Sequence, residues 1–173
     1  MKRWKPTLEL SRRSLAIGLA LFAGPAAAKA PPCAPTSVLF VCPAGTVKSA
    51  IARETLKRRA ARAGVAVRVA SRGVHPEDHV SPALKASLLA DGIDPAAEPL
   101  RAFEPQDAAG ADIVIAFDEA AKAPGLEGAR IWDVPSLNSR YPEAKAALAS
   151  KIDDLLAELR VREGRPCRNS SPR

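Results

Sequence analysis

Cys42 is followed within seven positions by three small residues, Ala44, Gly45 and Thr46, and then by Val47, Lys48 and Ser49. A thiolate is a strong nucleophile, and it works best where nearby donors hold its charge. Small residues let a backbone fold tightly around a ligand with its N–H groups turned inward. A helix that starts just beyond such a loop adds unpaired amides and a positive end, which favour a bound oxyanion and the thiolate together. Lys48 brings a cation to the same place. Nucleophile, cradle and ammonium group point to chemistry on an anion the size of phosphate. Each residue also has a plainer use: a buried cysteine fills a core, a lysine at a helix start is a solvated charge, and a serine there is an N-cap. Only their combination carries the chemical reading.

Such a site needs a strand to deliver the cysteine and a helix to aim the amides. Val38-Leu39-Phe40-Val41 is a short apolar, β-branched run of the kind found in central parallel strands, and it leaves Cys42 at the strand's C-terminal end. Strands are expected at 37–41, 65–70, 113–117 and 130–134. Helices are expected at 49–63, 81–91 and 142–160, with a short turn at 105–110. The last helix has the plainest pattern, because Leu148, Ile152, Leu155, Leu156 and Leu159 recur at three- and four-residue steps. Strands alternating with helices imply right-handed crossovers and a four-stranded parallel α/β sheet with helices on both faces. Ligands of such sheets sit beyond the carboxyl ends of the strands, where a loop after the fourth strand brings Asp133 or Ser136.

The stretch from Cys42 to Ser49 resembles the phosphate-binding loop of the low-molecular-weight protein tyrosine phosphatases and the related thioredoxin-coupled arsenate reductases, a cysteine, five residues, an arginine and a serine. Val69-Ala70-Ser71-Arg72-Gly73 resembles the second strand and turn of that family, Leu89-Ala90-Asp91-Gly92-Ile93-Asp94 its Gly-Ile-Asp segment, and Asp112 to Asp118 its third strand. The likeness spans residues 36–160 and implies the phosphotyrosine phosphatase I-like fold, with flavodoxin-like topology. It also implies roles: Cys42 as nucleophile, Ser49 as its hydrogen-bond partner, and Lys48 with the backbone of Ala44, Gly45, Thr46 and Val47 as the phosphate cradle. The implied activity is phosphate monoester hydrolysis through a cysteinyl-phosphate, with no metal and no cofactor.

Three departures from the family pattern bear on that expectation. Lys48 stands in place of arginine, so a point charge replaces a planar fork that grips two oxygens. Pro43 has no N–H, so one amide of the cradle is missing. The family's late Asp-Pro pair is replaced by Trp132-Asp133-Val134-Pro135-Ser136-Leu137. Alignment on the tryptophan puts Ser136 where the leaving-group acid belongs, and alignment on the nearest Asp and Pro selects Asp133. A weakly active phosphatase and a non-enzymatic oxyanion-binding module both fit these changes. An arsenate reductase needs two more cysteines for its disulfide cascade, and none lies between Cys42 and Cys167. His75 and His79 are spaced like metal ligands, but Pro76 and the polar surroundings read as a solvated turn. Trp132 reads as a wall or core residue.

The first 28 residues have a basic start, the paired Arg12 and Arg13, an apolar run from Leu15 to Gly24, and Ala26-Ala27-Ala28 as a cleavage site. This is the pattern of a twin-arginine-like signal peptide, and it implies a periplasmic or secreted protein that meets the membrane only during export. Residues 29–35 read as a linker and 161–173 as a basic, flexible tail. The formal net charge of +7 sits at the two ends: residues 1–28 carry five Lys or Arg against one Glu, and residues 160–173 five Arg against one Glu. The domain between them is close to neutral, which removes the main support for nucleic-acid binding. An oxidising compartment leaves one of three cysteines unpaired. Cys33 and Cys42 flank one strand about 20 Å long and are poor partners. If the closing helix returns to the strand-start edge, as the resemblance implies, Cys33 and Cys167 form the disulfide and Cys42 stays reduced.

Overall fold

A computed structural model describes residues 34–163. The signal-like segment, Cys33, Cys167 and the tail from residue 164 lie outside the described residues, and with them the expected disulfide. The element order is β1 (Thr36–Cys42), α1 (Lys48–Ala63), β2 (Val67–Gly73), α2 (Pro82–Ala90), α3 (Pro105–Ala109), β3 (Ile113–Phe117), a 3₁₀ turn (Asp118–Lys122), β4 (Arg130–Trp132) and α4 (Tyr141–Glu163). The four strands are all parallel in the order β2-β1-β3-β4. This is the expected α/β fold with flavodoxin-like topology.

Side chains of β1 alternate between the two faces, as the strand period of two requires. Val38, Phe40 and Cys42 join the larger core with α1, α2 and α4, whereas Leu39 and Val41 join a smaller one that α3 and the 3₁₀ turn cover. Helices therefore lie on both faces, and Cys42 belongs to the face under α1. In α4 the residues Ala144, Leu148, Ile152, Leu155, Leu156 and Leu159 form the buried stripe. Each such leucine or isoleucine contributes on the order of 1.5–3 kcal/mol by leaving water.

Several boundaries differ from the sequence expectation, each for a local reason. The second strand runs over Val67–Gly73 instead of 65–70. Gly64 takes a left-handed conformation (φ 67°) to close α1, and the Val65 amide donates to the Ala60 carbonyl, so residues 64 and 65 are spent on the helix cap. β2 then pairs with β1 along its whole length, ending at Cys42 opposite Gly73. β4 stops at Trp132 instead of residue 134, because β3 offers pairing partners only from Ile115 to Phe117. α4 continues past residue 160 to Glu163, whose carboxylate accepts the Ala66 amide at 2.5 Å, so the first three residues of the expected tail are helical.

Candidate active site

The first carbonyls of the stretch from Cys42 onward are taken up by the segment after β2. Cys42, Pro43 and Ala44 accept the amides of Val74 (3.1 Å), His75 (2.8 Å) and Glu77 (3.1 Å), so the segment after β2 runs beside the loop like a continued ladder. Two glycines permit this close approach. Gly45 has φ 80°, and a Cβ on Gly73 would fall 2.7 Å from the Ala44 carbonyl oxygen. With these three carbonyls occupied, the Gly45 amide is turned inward, toward Cys42 Sγ. Val47, the N-cap of α1, makes no side-chain cap bond, so the first turn of α1 keeps its unpaired N–H groups for an anion.

Two donors converge on the sulfur. The Gly45 amide donates to Cys42 Sγ at 3.2 Å, and the Ser49 hydroxyl lies 3.1 Å from it. Cys42 and Ser49 are both buried, and Cys42 is a free thiol. Ser49 is not the N-cap. Its Oγ also lies 3.2 Å from the Gly45 carbonyl and 3.3 Å from that of Arg72. One hydroxyl proton serves one acceptor at a time. When the sulfur is a thiol, S–H can donate to Ser49 and the hydroxyl to a carbonyl. When it is a thiolate, the hydroxyl turns to the sulfur. Rotation of the Ser49 hydroxyl alone is thus enough to serve either the sulfur or a carbonyl.

Lys48 does not face an open cradle alone. Its Nζ lies 2.6 Å from Oδ1 of Asp118, with side-chain exposures of 14% and 33%. Asp118 directly follows β3 and sits at φ 54°, a left-handed conformation that aspartate tolerates better than most residues. Lys48 therefore has a built-in carboxylate partner. Sequence reasoning passed over Asp118 as the end of a strand. Its place at the carboxyl end of the strand next to β1 was the signal that marks it.

Thr46 ties the loop to its neighbours. Its hydroxyl donates to the Glu77 carbonyl at 2.8 Å and accepts the His79 amide at 3.1 Å. The side chain of Asn138 then clamps the same segment, donating to the His79 carbonyl at 2.8 Å and accepting the Ser81 amide at 3.0 Å. The loop that follows β4 is thereby linked through residues 79–81 to the loop after β1. Asp133 and Ser136 lie on this loop and are exposed. The partners of Cys42, Lys48 and Ser49 are Gly45, Arg72 and Asp118, with neither Asp133 nor Ser136 bonded to them. Trp132 packs at 5.6 Å on Phe40 and at 6.0 Å on Phe117, which makes it a core residue.

Arg53, one turn beyond Ser49, is 2% exposed and was not foreseen. It donates to Glu54 (2.6 Å), Ser71 Oγ (2.7 Å) and the Pro95 carbonyl (3.1 Å), stapling α1, β2 and the 94–99 segment behind the loop. A cleft of about 690 Å³ opens beside Gly45 and Thr46, with Val80, Leu89 and Leu100 on its walls. His79 Nε2 pairs with Glu77 at 2.9 Å in an exposed turn. Among the described residues no cluster of three or more His, Cys, Asp or Glu is placed to hold a metal.

The profile of the low molecular weight phosphotyrosine protein phosphatases matches residues 37–133, and the chain belongs to that family of cysteine-dependent phosphatases. Solved structures of the same fold include a low molecular weight protein tyrosine phosphatase from T. tengcongensis, at TM-score 0.57 and 23% identity over 71% of this chain and 99% of that one. An arginine phosphatase from Geobacillus stearothermophilus matches at TM-score 0.58 and 21% identity, over 78% of this chain and 100% of that one. A thioredoxin-dependent arsenate reductase from Corynebacterium glutamicum matches at TM-score 0.59 and 21% identity, over 78% of this chain and 65% of that one. The curated proteins gave no match.

Proposed function

We propose that the chain is an exported phosphate monoesterase that works through a cysteinyl-phosphate at Cys42, with turnover limited by Lys48. The observation that carries the reading is the convergence of the Gly45 amide and the Ser49 hydroxyl on Cys42 Sγ at the start of α1. In the first step the thiolate attacks phosphorus, an S–P bond forms and the P–O bond to the leaving group breaks. The leaving oxygen takes a proton from Asp133, and Ser136 is the alternative residue on the same loop. The loop amides and Lys48 hold the equatorial oxygens. Water, giving its proton to Asp133, then breaks the S–P bond, releasing orthophosphate and the thiolate.

Substituting lysine for the arginine fork is expected to lower turnover by about 10²-fold, the scale of losing one preorganised donor. The Lys48–Asp118 pair supports a second reading, an oxyanion-binding module that holds phosphate without turning over esters. Hydrolysis of p-nitrophenyl phosphate by the wild type and Cys42→Ser separates the two. Activity lost on substitution supports the enzyme, and phosphate binding without hydrolysis by the wild type supports the module. Export rests on the paired Arg12 and Arg13 ahead of an apolar run, and retention of an Arg12→Lys, Arg13→Lys variant in the cytoplasm tests it.

A further inference from the structure

On the face of the domain formed by α1 and α4, a cleft of about 210 Å³ is lined by Arg58, Arg59, Arg62 and Lys145, with Asp91 the one carboxylate in its wall. The four cations are held in different ways. Nη1 of Arg58 donates to the carbonyls of Asp91 (2.7 Å) and Gly92 (2.8 Å), which orient the guanidinium, and no carboxylate among the described residues forms an ion pair with it. Arg59 donates to the Ala149 carbonyl at 3.1 Å, and its carboxylate partner Asp153 is mostly exposed outside the cleft. Arg62 pairs with no carboxylate among the described residues. Asp91 is already committed to Lys145 at 2.7 Å and to the Tyr141 hydroxyl. The cleft therefore carries surplus positive charge, with the donors of Arg58, Arg59 and Lys145 oriented in advance and Arg62 open to a ligand. Ile51, Ile93 and Leu148 form an apolar floor, which strengthens any charge-assisted bond made above it.

We propose that this cleft is a second anion site, separate from the Cys42 loop, for a compact ligand of the polyphosphate class with two linked phosphoryl groups. Arg58 and Arg62 stand one helical turn apart, about 5–6 Å between Cβ atoms, which suits two anionic centres better than one. Their forks match phosphoryl oxygens in pairs, and Lys145 approaches from the facing helix. Leu137 and Tyr141 also line the cleft. Leu137 lies on the loop that carries Asp133 and Ser136 and Tyr141 opens α4 directly after that loop, so an occupant touches the segment to which the proposed function assigns the acid.

The test is an NMR titration of the full chain with inorganic pyrophosphate at constant ionic strength, and it does not depend on turnover at Cys42. Saturable shifts are expected in the amides of residues 58–62, 91–93 and 141–149. Arg62→Gln, at an exposed position, should weaken the apparent affinity about tenfold, the effect of losing one charge-assisted contact. Lys145→Gln should weaken it similarly, and Lys48→Ala should leave it in place. Shifts confined to residues 42–49, shifts that fail to saturate, or unchanged affinity in both Arg62→Gln and Lys145→Gln would overturn the proposal.

Discussion

Asp118→Asn isolates the effect of the carboxylate that holds Lys48. The substitution keeps size and shape, and asparagine accepts the left-handed conformation at φ 54° as readily as aspartate, so the backbone has no reason to move. The ion pair it removes is half-sheltered, at 2.6 Å with exposures of 14% and 33%. A pair of this kind is worth about 1 kcal/mol net, between exposed pairs that contribute little and buried ones that contribute more. An anion entering the loop has to share the ammonium with Asp118 and also faces that carboxylate's repulsion. Removing it should tighten orthophosphate by about fivefold, which is the affinity equivalent of 1 kcal/mol. Competitive inhibition of p-nitrophenyl phosphate hydrolysis measures this, and calorimetry of phosphate binding does so even without turnover. Unchanged or weaker binding would refute the reasoning, and would mean that Asp118 aims the ammonium at the anion instead of competing for it.

Lys48→Arg should raise phosphatase activity or oxyanion affinity, because a fork can reach Asp118 and the anion together; a fall in both would show a loop built around lysine. Asp133→Asn should slow esters with poor leaving groups far more than activated aryl esters. Equal slowing of both, with Ser136→Ala showing the selective effect instead, would transfer the acid role to Ser136. Gly73→Ala puts a methyl 2.7 Å from the Ala44 carbonyl oxygen and 2.8 Å from its carbon, backbone atoms that cannot swing aside. It should cost about 1–3 kcal/mol in chemical denaturation and lower activity, since the atoms displaced belong to the loop. Arg130, helped by Arg162, holds the Glu158 carboxyl down at about 2. A depressed carboxylate stabilises the fold above its unfolded value, near 4.5, and loses that contribution as pH falls to about 2. Wild type and Glu158→Gln should therefore differ in Tm at neutral pH and converge across that window, and a constant gap would remove the pair from acid unfolding.

The legible parts of this molecule were local. A four-residue apolar run before Cys42, small residues after it and a helix-forming stretch beyond are each decided by their own neighbours, and they place the sulfur on the correct sheet edge. The strand limits at 67–73 were less legible, because pairing with β1 and the cap at Gly64 set them, and neither is written in the strand itself. The residues that complete the candidate site were the least legible. Asp118 meets Lys48 across 70 positions, Asn138 meets His79 across 59, and Arg53 meets Pro95 across 42. No periodicity links such pairs. What Asp118 shares with Cys42 and Asp133 is topology: Cys42 ends β1, Asp118 and Asp133 directly follow β3 and β4, and the parallel pairing of β1 with β3 and of β3 with β4 brings those ends to one edge. In a parallel sheet the last residue of each strand and the first one after it are thus candidates for the site whatever their spacing in the chain. Applied here, that rule includes Asp118 along with Cys42 and Asp133, where resemblance by motif had selected only the latter two.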